Sequence, residues 1–229
     1  MKKNSSAFTL IELLVVIAII AVLATFAVPA ITGALTKGQL TGTLNNARQL
    51  YLAGFQMAND GATNSDANLA WPGAAPAPAD LQEYCSRLVT NGYLSASDLS
   101  KLLSAPGAVC AATSSVAGDV TNVTLAGASA LKVYPVTETD ASNVIFAATS
   151  NYVYNTAFTA TAPAPYGDKG FVVIRKGGDA SVLRKNNAKA GTGTTGIAAF
   201  EATVGKKPLE AAGTVTAGDP TGVLKFPAQ

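Results

Sequence analysis

A chain of 229 residues is long enough to bury one sizeable core with room for an appendage. Its net charge of +2 is the contribution of Lys2 and Lys3, and the remaining bases and acids balance at 14 each, which excludes a general nucleic-acid binder with a basic surplus. Histidine is absent, and with it the Ser-His-Asp triad, the commonest general base and the commonest transition-metal ligand.

The chain opens MKKNSSAFTLIELLVVIAIIAVLATFAVPAITGAL, and the stretch Leu13 to Thr36 holds no charged residue over 24 positions. As a helix that stretch spans about 36 Å, enough to cross a bilayer. Two lysines ahead of it put the start in the cytoplasm and the bulk of the chain on the far side. A secretory signal peptide does not fit, because the apolar run is too long and holds no A-x-A cleavage site. A plain anchor leaves Glu12 without a purpose, since a carboxylate in such a segment costs about 2.5–3.5 kcal/mol at mid-span and less near the end.

The string AFTLIELLVV, Ala7 to Val16, resembles the prepilin processing site shared by type IV pilins and type II secretion pseudopilins. The resemblance implies a cut by prepilin peptidase between Ala7 and Phe8, N-methylation of the new amine of Phe8, and Glu12 as the fifth residue of the mature chain. It also implies that Glu12 meets the amine of a neighbouring copy and so sets axial register during assembly. Glu12 also favours its own helix N-terminus, and the two roles are compatible. Pro29 lies 21 residues after Phe8, where the family carries a proline that kinks the helix; it can equally mark the end of the span. Ala7 stands where glycine is usual before the cut, and Ala21 where many relatives have a helix-weakening glycine. The resemblance covers about the first 55 residues.

Beyond Pro29 the helix is expected to continue to about Asn59. Leu40, Leu44, Ala47, Tyr51, Phe55 and Ala58 recur at steps of three and four, with Asn59-Asp60-Gly61 as the stop. Gly33, Gly38 and Gly42 weaken its middle, for bending or for close helix contact. Residues 60–80 read as a loop, with Trp71 packing on the head. Asp80 caps a short helix over Leu81–Val89, and Ser97 another to Leu103. Cys85 and Cys110 fall outside the cytoplasm, where a disulfide is the default reading and two unrelated buried thiols the other. After residue 128 candidate strands follow at Leu131–Val136, Asn143–Thr149, Tyr152–Phe158, Phe171–Arg175 and Ala180–Arg184, with Val223–Phe226 a possible last one. FVVIRKGGDASVLR reads as a hairpin, and GTGTTGIAA as a loop.

These elements predict an α+β, pilin-like fold. A leader over 1–7 precedes a spine helix over 8–59, membrane-spanning over about 8–31. A head over 60–229 follows, with a loop and short-helix insert to 127 and an antiparallel β-rich part from 128. GTGTTG lacks the preceding strand, the following helix and the lysine of a phosphate loop, and no Ser-Lys motif stands out. Asp168, Asp179 and Asp219 are the acids that a calcium loop would draw on, but they are far apart and match no such loop. No cofactor, metal or catalytic residue is expected, and an enzyme is not.

The resemblance further implies a subunit of a secretion pseudopilus or type IV pilus, held first in the bacterial inner membrane and then in a periplasmic or surface fibre. Its implied partners are copies of itself, other pilins, prepilin peptidase, and an assembly platform with its ATPase. The rival reading is a membrane-anchored extracytoplasmic binding domain that borrows a prepilin leader.

Overall fold

The computed structural model describes residues 9–118, 120–159, 164–211 and 213–226. Two compact units divide the chain, Met1–Gly38 and Gln39–Gln229. The helix α1, Leu10–Asn64, contributes to both. In the second unit come α2 (Leu81–Thr90), α3 (Ala96–Leu102), a hairpin of β1 (Cys110–Ala117) and β2 (Val120–Gly127), then β3 (Leu131–Val133), β4 (Ile145–Thr149), β5 (Phe171–Arg175), β6 (Ala180–Leu183) and α4 (Gly193–Thr203). This is the expected α+β, pilin-like class: a long apolar N-terminal helix followed by a head of short helices and antiparallel sheets.

Strands β3 to β6 form one antiparallel meander in sequence order. Both of its faces are covered, which explains why β5 reads FVVIR without polar alternation and is buried throughout. Val172 and Ile174 point to the layer holding Leu44, Ala47, Leu50 and Met57 of α1; Phe171 and Val173 point to the layer of Tyr152, Tyr154 and Phe200. Trp71 packs at the α1 layer, edge-on to Phe55 and Phe146, and its Nε1 donates to Glu138 at 2.5 Å.

Helix α1 ends at Asn64, not at Asn59, because Gly61 serves a close approach and not a stop. A Cβ there would lie 2.7 Å from the carbonyl oxygen of Leu69, and the turn falls instead at Ser65, whose φ is 56°. Ser95, not Ser97, caps α3, in a capping box with Asp98. Tyr152–Phe158 is no strand: Asn155 takes φ 49° and the segment turns. The glycine-rich passage read as a loop opens α4, where helix-favouring Ala198, Ala199 and Ala202 follow and Phe200 anchors the turn in the core.

The β1–β2 hairpin lies in the stretch expected to hold only loops and helices. Its outer edges are satisfied by helix side chains. Gln82, Ser86 and Thr90 of α2 accept from the backbone N–H groups of Leu125, Val123 and Thr121, each at 3.0 Å. Ser100 of α3, and Ser104 just beyond it, do the same for Ala112 and Cys110 of β1, at 2.8 and 2.9 Å. A spacing of four on each helix thus meets a spacing of two on each strand.

Tyr84 is fully buried against α1, and its hydroxyl has no partner. Gly54 makes room for it, since a Cβ there would come within 2.2 Å of that oxygen. Tyr84→Phe is expected to raise stability by about 1–3 kcal/mol, the relief of an orphaned buried polar group. Gly54→Ala is expected to lower stability, and to do so less in the Tyr84→Phe background. Denaturant titrations of the four proteins complete the cycle.

Tyr84, Tyr134, Tyr152 and Tyr154 are all buried, and burial holds each phenol well above its ordinary range. They stay neutral in the fold where the unfolded chain ionises, so their contribution is complete below pH about 10 and is lost as pH rises beyond it. Four such groups make the loss about 5 kcal/mol per pH unit at full effect. Thermal melts taken from about one pH unit below the free phenol value to about one unit above it are expected to show a steep fall only in the upper half.

Candidate functional site in the N-terminal helix

From Leu10 to Leu35 the large apolar side chains of α1 are exposed, among them Ile11, Leu14, Ile17, Ile20, Leu23, Phe26 and Ile31. The mean hydropathy of its most apolar window is 2.9, with none of that window buried. A helix that is apolar all round and covered by nothing is suited to a bilayer or to other helices like itself. Its polar atoms are folded inward: Thr25 Oγ1 donates to the carbonyl of Val22 at 2.6 Å, Thr32 to Pro29 at 3.0 Å and Thr36 to Thr32 at 3.0 Å. Pro29 sits inside the helix and removes the N–H that would bond the carbonyl of Thr25.

Glu12 lies in the first turn. Its Oε2 accepts from the backbone N–H of Thr9 at 2.8 Å and from the Thr9 hydroxyl at 2.7 Å, while Thr9 Oγ1 accepts from the N–H of Glu12 at 3.3 Å. Thr9-x-x-Glu12 is a capping box, a spacing present in the sequence beside the acid itself. It holds the carboxylate at the very start of the helix. Ala7 and Phe8, the expected cut, lie outside the described residues.

Among the described residues the predicted thiols and acids of the head are not gathered into one site. Cys85 and Cys110 are both free thiols, so the expected disulfide is absent. Both are buried in the α1-side core, and the thiol of each is pushed up by burial, that of Cys85 also by Cys110 beside it. An apolar interior favours the neutral S–H over the thiolate that disulfide exchange needs. Asp168, Asp179 and Asp219 are not brought together: they pair separately with Lys185, Arg175 and Lys132. Among the described residues no cluster of three His, Cys, Asp or Glu forms.

The family described as the prokaryotic N-terminal methylation motif matches residues 2–28. The chain therefore carries the leader signature of type IV pilin and pseudopilin precursors, on the segment where the exposed helix and Glu12 stand. Such a leader implies processing by prepilin peptidase and assembly with other pilins, and the leader and helix together fit anchoring in the inner membrane. No curated protein and no solved structure matches the chain.

Proposed function

We propose that this protein is a structural, non-enzymatic subunit of a secretion pseudopilus or type IV pilus, polymerised through α1. Prepilin peptidase removes residues 1–7, methylates Phe8, and leaves a spine that runs from Phe8 through α1 to Asn64, its first part, about 8–31, crossing the inner membrane. The head from residue 60 is then carried on the periplasmic side and later on the fibre. Burial of the exposed apolar helix against copies of itself supplies cohesion, with partners provided by an assembly platform and its ATPase.

One observation carries this reading: the methylation motif runs directly into the exposed apolar part of α1, where Glu12, the sole acid from Leu10 to Thr36, sits where a processed amine would emerge. In the mature chain the α-amino group would be largely cationic at neutral pH, the counter-charge that an acid in an apolar rod requires. Mass spectrometry of the purified protein tests the processing. An N-terminus at methylated Phe8 is expected; an intact Met1, or a cut after Ala24 or later, would defeat the proposal.

A further inference from the structure

The carboxyl of Asp219, its side chain 6% exposed, is approached differently at its two oxygens. Lys132 Nζ of β3, itself on a side chain 4% exposed, lies 2.6 Å from Oδ2, and Lys225 Nζ lies 3.3 Å from the same atom. Oδ1 accepts from the Tyr134 hydroxyl at 2.9 Å and from the backbone N–H of Tyr154 at 3.3 Å. Lys132 is oriented by a further bond to the carbonyl of Tyr152. Two amines on one oxygen and two neutral donors on the other are the parts of an acyl-transfer site: nucleophile, proton carrier and oxyanion hole around one carbonyl carbon.

We propose that Lys132 and Asp219 condense into an intramolecular amide, a covalent link between β3 and the C-terminal loop. A proton passes from the Lys132 ammonium to Oδ2, leaving a neutral amine beside a neutral carboxyl. Nζ then attacks Cγ and forms the C–N bond, while Oδ1 takes the developing charge, held by Tyr134 and the Tyr154 N–H. A second Nζ proton reaches Oδ2 through Lys225, which gives up one proton and regains one. The Cγ–Oδ2 bond breaks, water leaves, and Nζ keeps a single hydrogen. No oxidant, reductant or further reactant is consumed.

The surroundings favour this course. Burial lowers Lys132 to about 8 in spite of Asp219, so a free amine is within reach near neutral pH. Asp219, which burial alone would raise, is held below its ordinary range by Lys132 and Tyr134. The resting state is therefore the ion pair, and condensation is a single slow maturation step. A cleft of about 210 Å³, lined by Ser129, Ser150, Val153 and Phe226 beside the reacting pair, lets the product water out. The link would fasten the segment whose Leu224 pairs with Val133 at the sheet edge. It stands apart from membrane assembly and does not depend on it.

Peptide mapping of the full chain, purified in detergent, fresh and after storage at mildly alkaline pH, decides the matter. The expected result is a joined pair of peptides, lighter by one water, linking Lys132 to Asp219, with trypsin no longer cutting after Lys132. Lys132→Arg and Asp219→Ala should show no such pair, and Tyr134→Phe should form it at least about tenfold more slowly. Recovery of Lys132 unlinked and cleavable in fresh and stored wild-type protein alike would overturn the proposal, and this readout stands whether or not any variant folds. A link formed at full rate in Tyr134→Phe would overturn the oxyanion role.

Discussion

Glu12→Val is expected to leave processing at Ala7–Phe8 and membrane insertion intact while abolishing fibre formation. The substitution makes the span more apolar, so anchoring does not suffer, and loss of the capping box with Thr9 costs only about 1 kcal/mol of local helix stability. What disappears is the one charge that can recognise a neighbour in a rod otherwise able to slide at any depth. A packed apolar helix has no preferred axial step, whereas an ion pair in a medium of low dielectric has a steep one. Fibres or secretion at the wild-type level, together with a correctly cut N-terminus, would remove Glu12 from the account and leave the membrane anchor. A fault in processing itself would instead show as retained leader, which mass spectrometry of the N-terminus resolves.

Arg175→Met is expected to cost the head about 2–5 kcal/mol, a large part of the 5–15 kcal/mol that holds a typical domain. Arg175 is 5% exposed on β5, yet its guanidinium leaves the sheet to bind the end of α4. Nε donates to the carbonyl of Val204 at 3.2 Å, one terminal nitrogen to that of Thr203, and the other to Asp179. The last carbonyls of a helix have no intrahelical donor, and here a planar cation satisfies two of them at once. Methionine fills the volume and leaves both carbonyls without their donor, that of Val204 in the buried interior. Asp179 is exposed and loses little, so most of the effect belongs to α4. Hydrogen exchange should show α4 and the Gly205–Lys206 connection opening first, with a lower denaturant midpoint overall. A midpoint within about 0.5 kcal/mol of wild type would show that water replaces the guanidinium freely.

The N-terminal segment was the most legible part of the chain because its information is linear: two bases, an acid, a proline and an uncharged run at fixed spacings. The β5–β6 hairpin was legible for the same reason, since the apolar run of β5 and the short strand β6 flank a Lys176-Gly177-Gly178-Asp179 turn. The β1–β2 hairpin was not. CAATSSVA and VTNVTLAG offer little apolar alternation, and what holds their edges is a set of hydroxyls and one amide from α2, α3 and the residue Ser104 after it, 6 to 43 residues away in sequence. Tyr152–Phe158 misled through its aromatic residues, which turn out to be anchors of a turn whose Tyr152 hydroxyl reaches the carbonyl of Ala188. The same distance hides the surroundings of Asp219, where β3, the turn after β4 and the C-terminal segment converge. For Cys85 and Cys110 the sequence supports either a disulfide or two buried thiols, and the apolar interior that surrounds both free thiols is not visible in their spacing.

The bonds between α2 and β2 also set a limit on how far the hairpin can lean on its helix. Four helical residues advance about 6.0 Å, two strand residues about 6.7 Å, so each successive rung lags by about 0.7 Å. Across Gln82, Ser86 and Thr90 the lag reaches about 1.4 Å, an amount that the longer arm of Gln82 and the rotation of the two hydroxyl-bearing side chains absorb. The pairing behaves as a vernier whose marks coincide over a short range and then drift apart. Here α2 ends at Thr90 and β2 begins at Val120, so the two elements run out together before the drift exceeds what the side chains bridge.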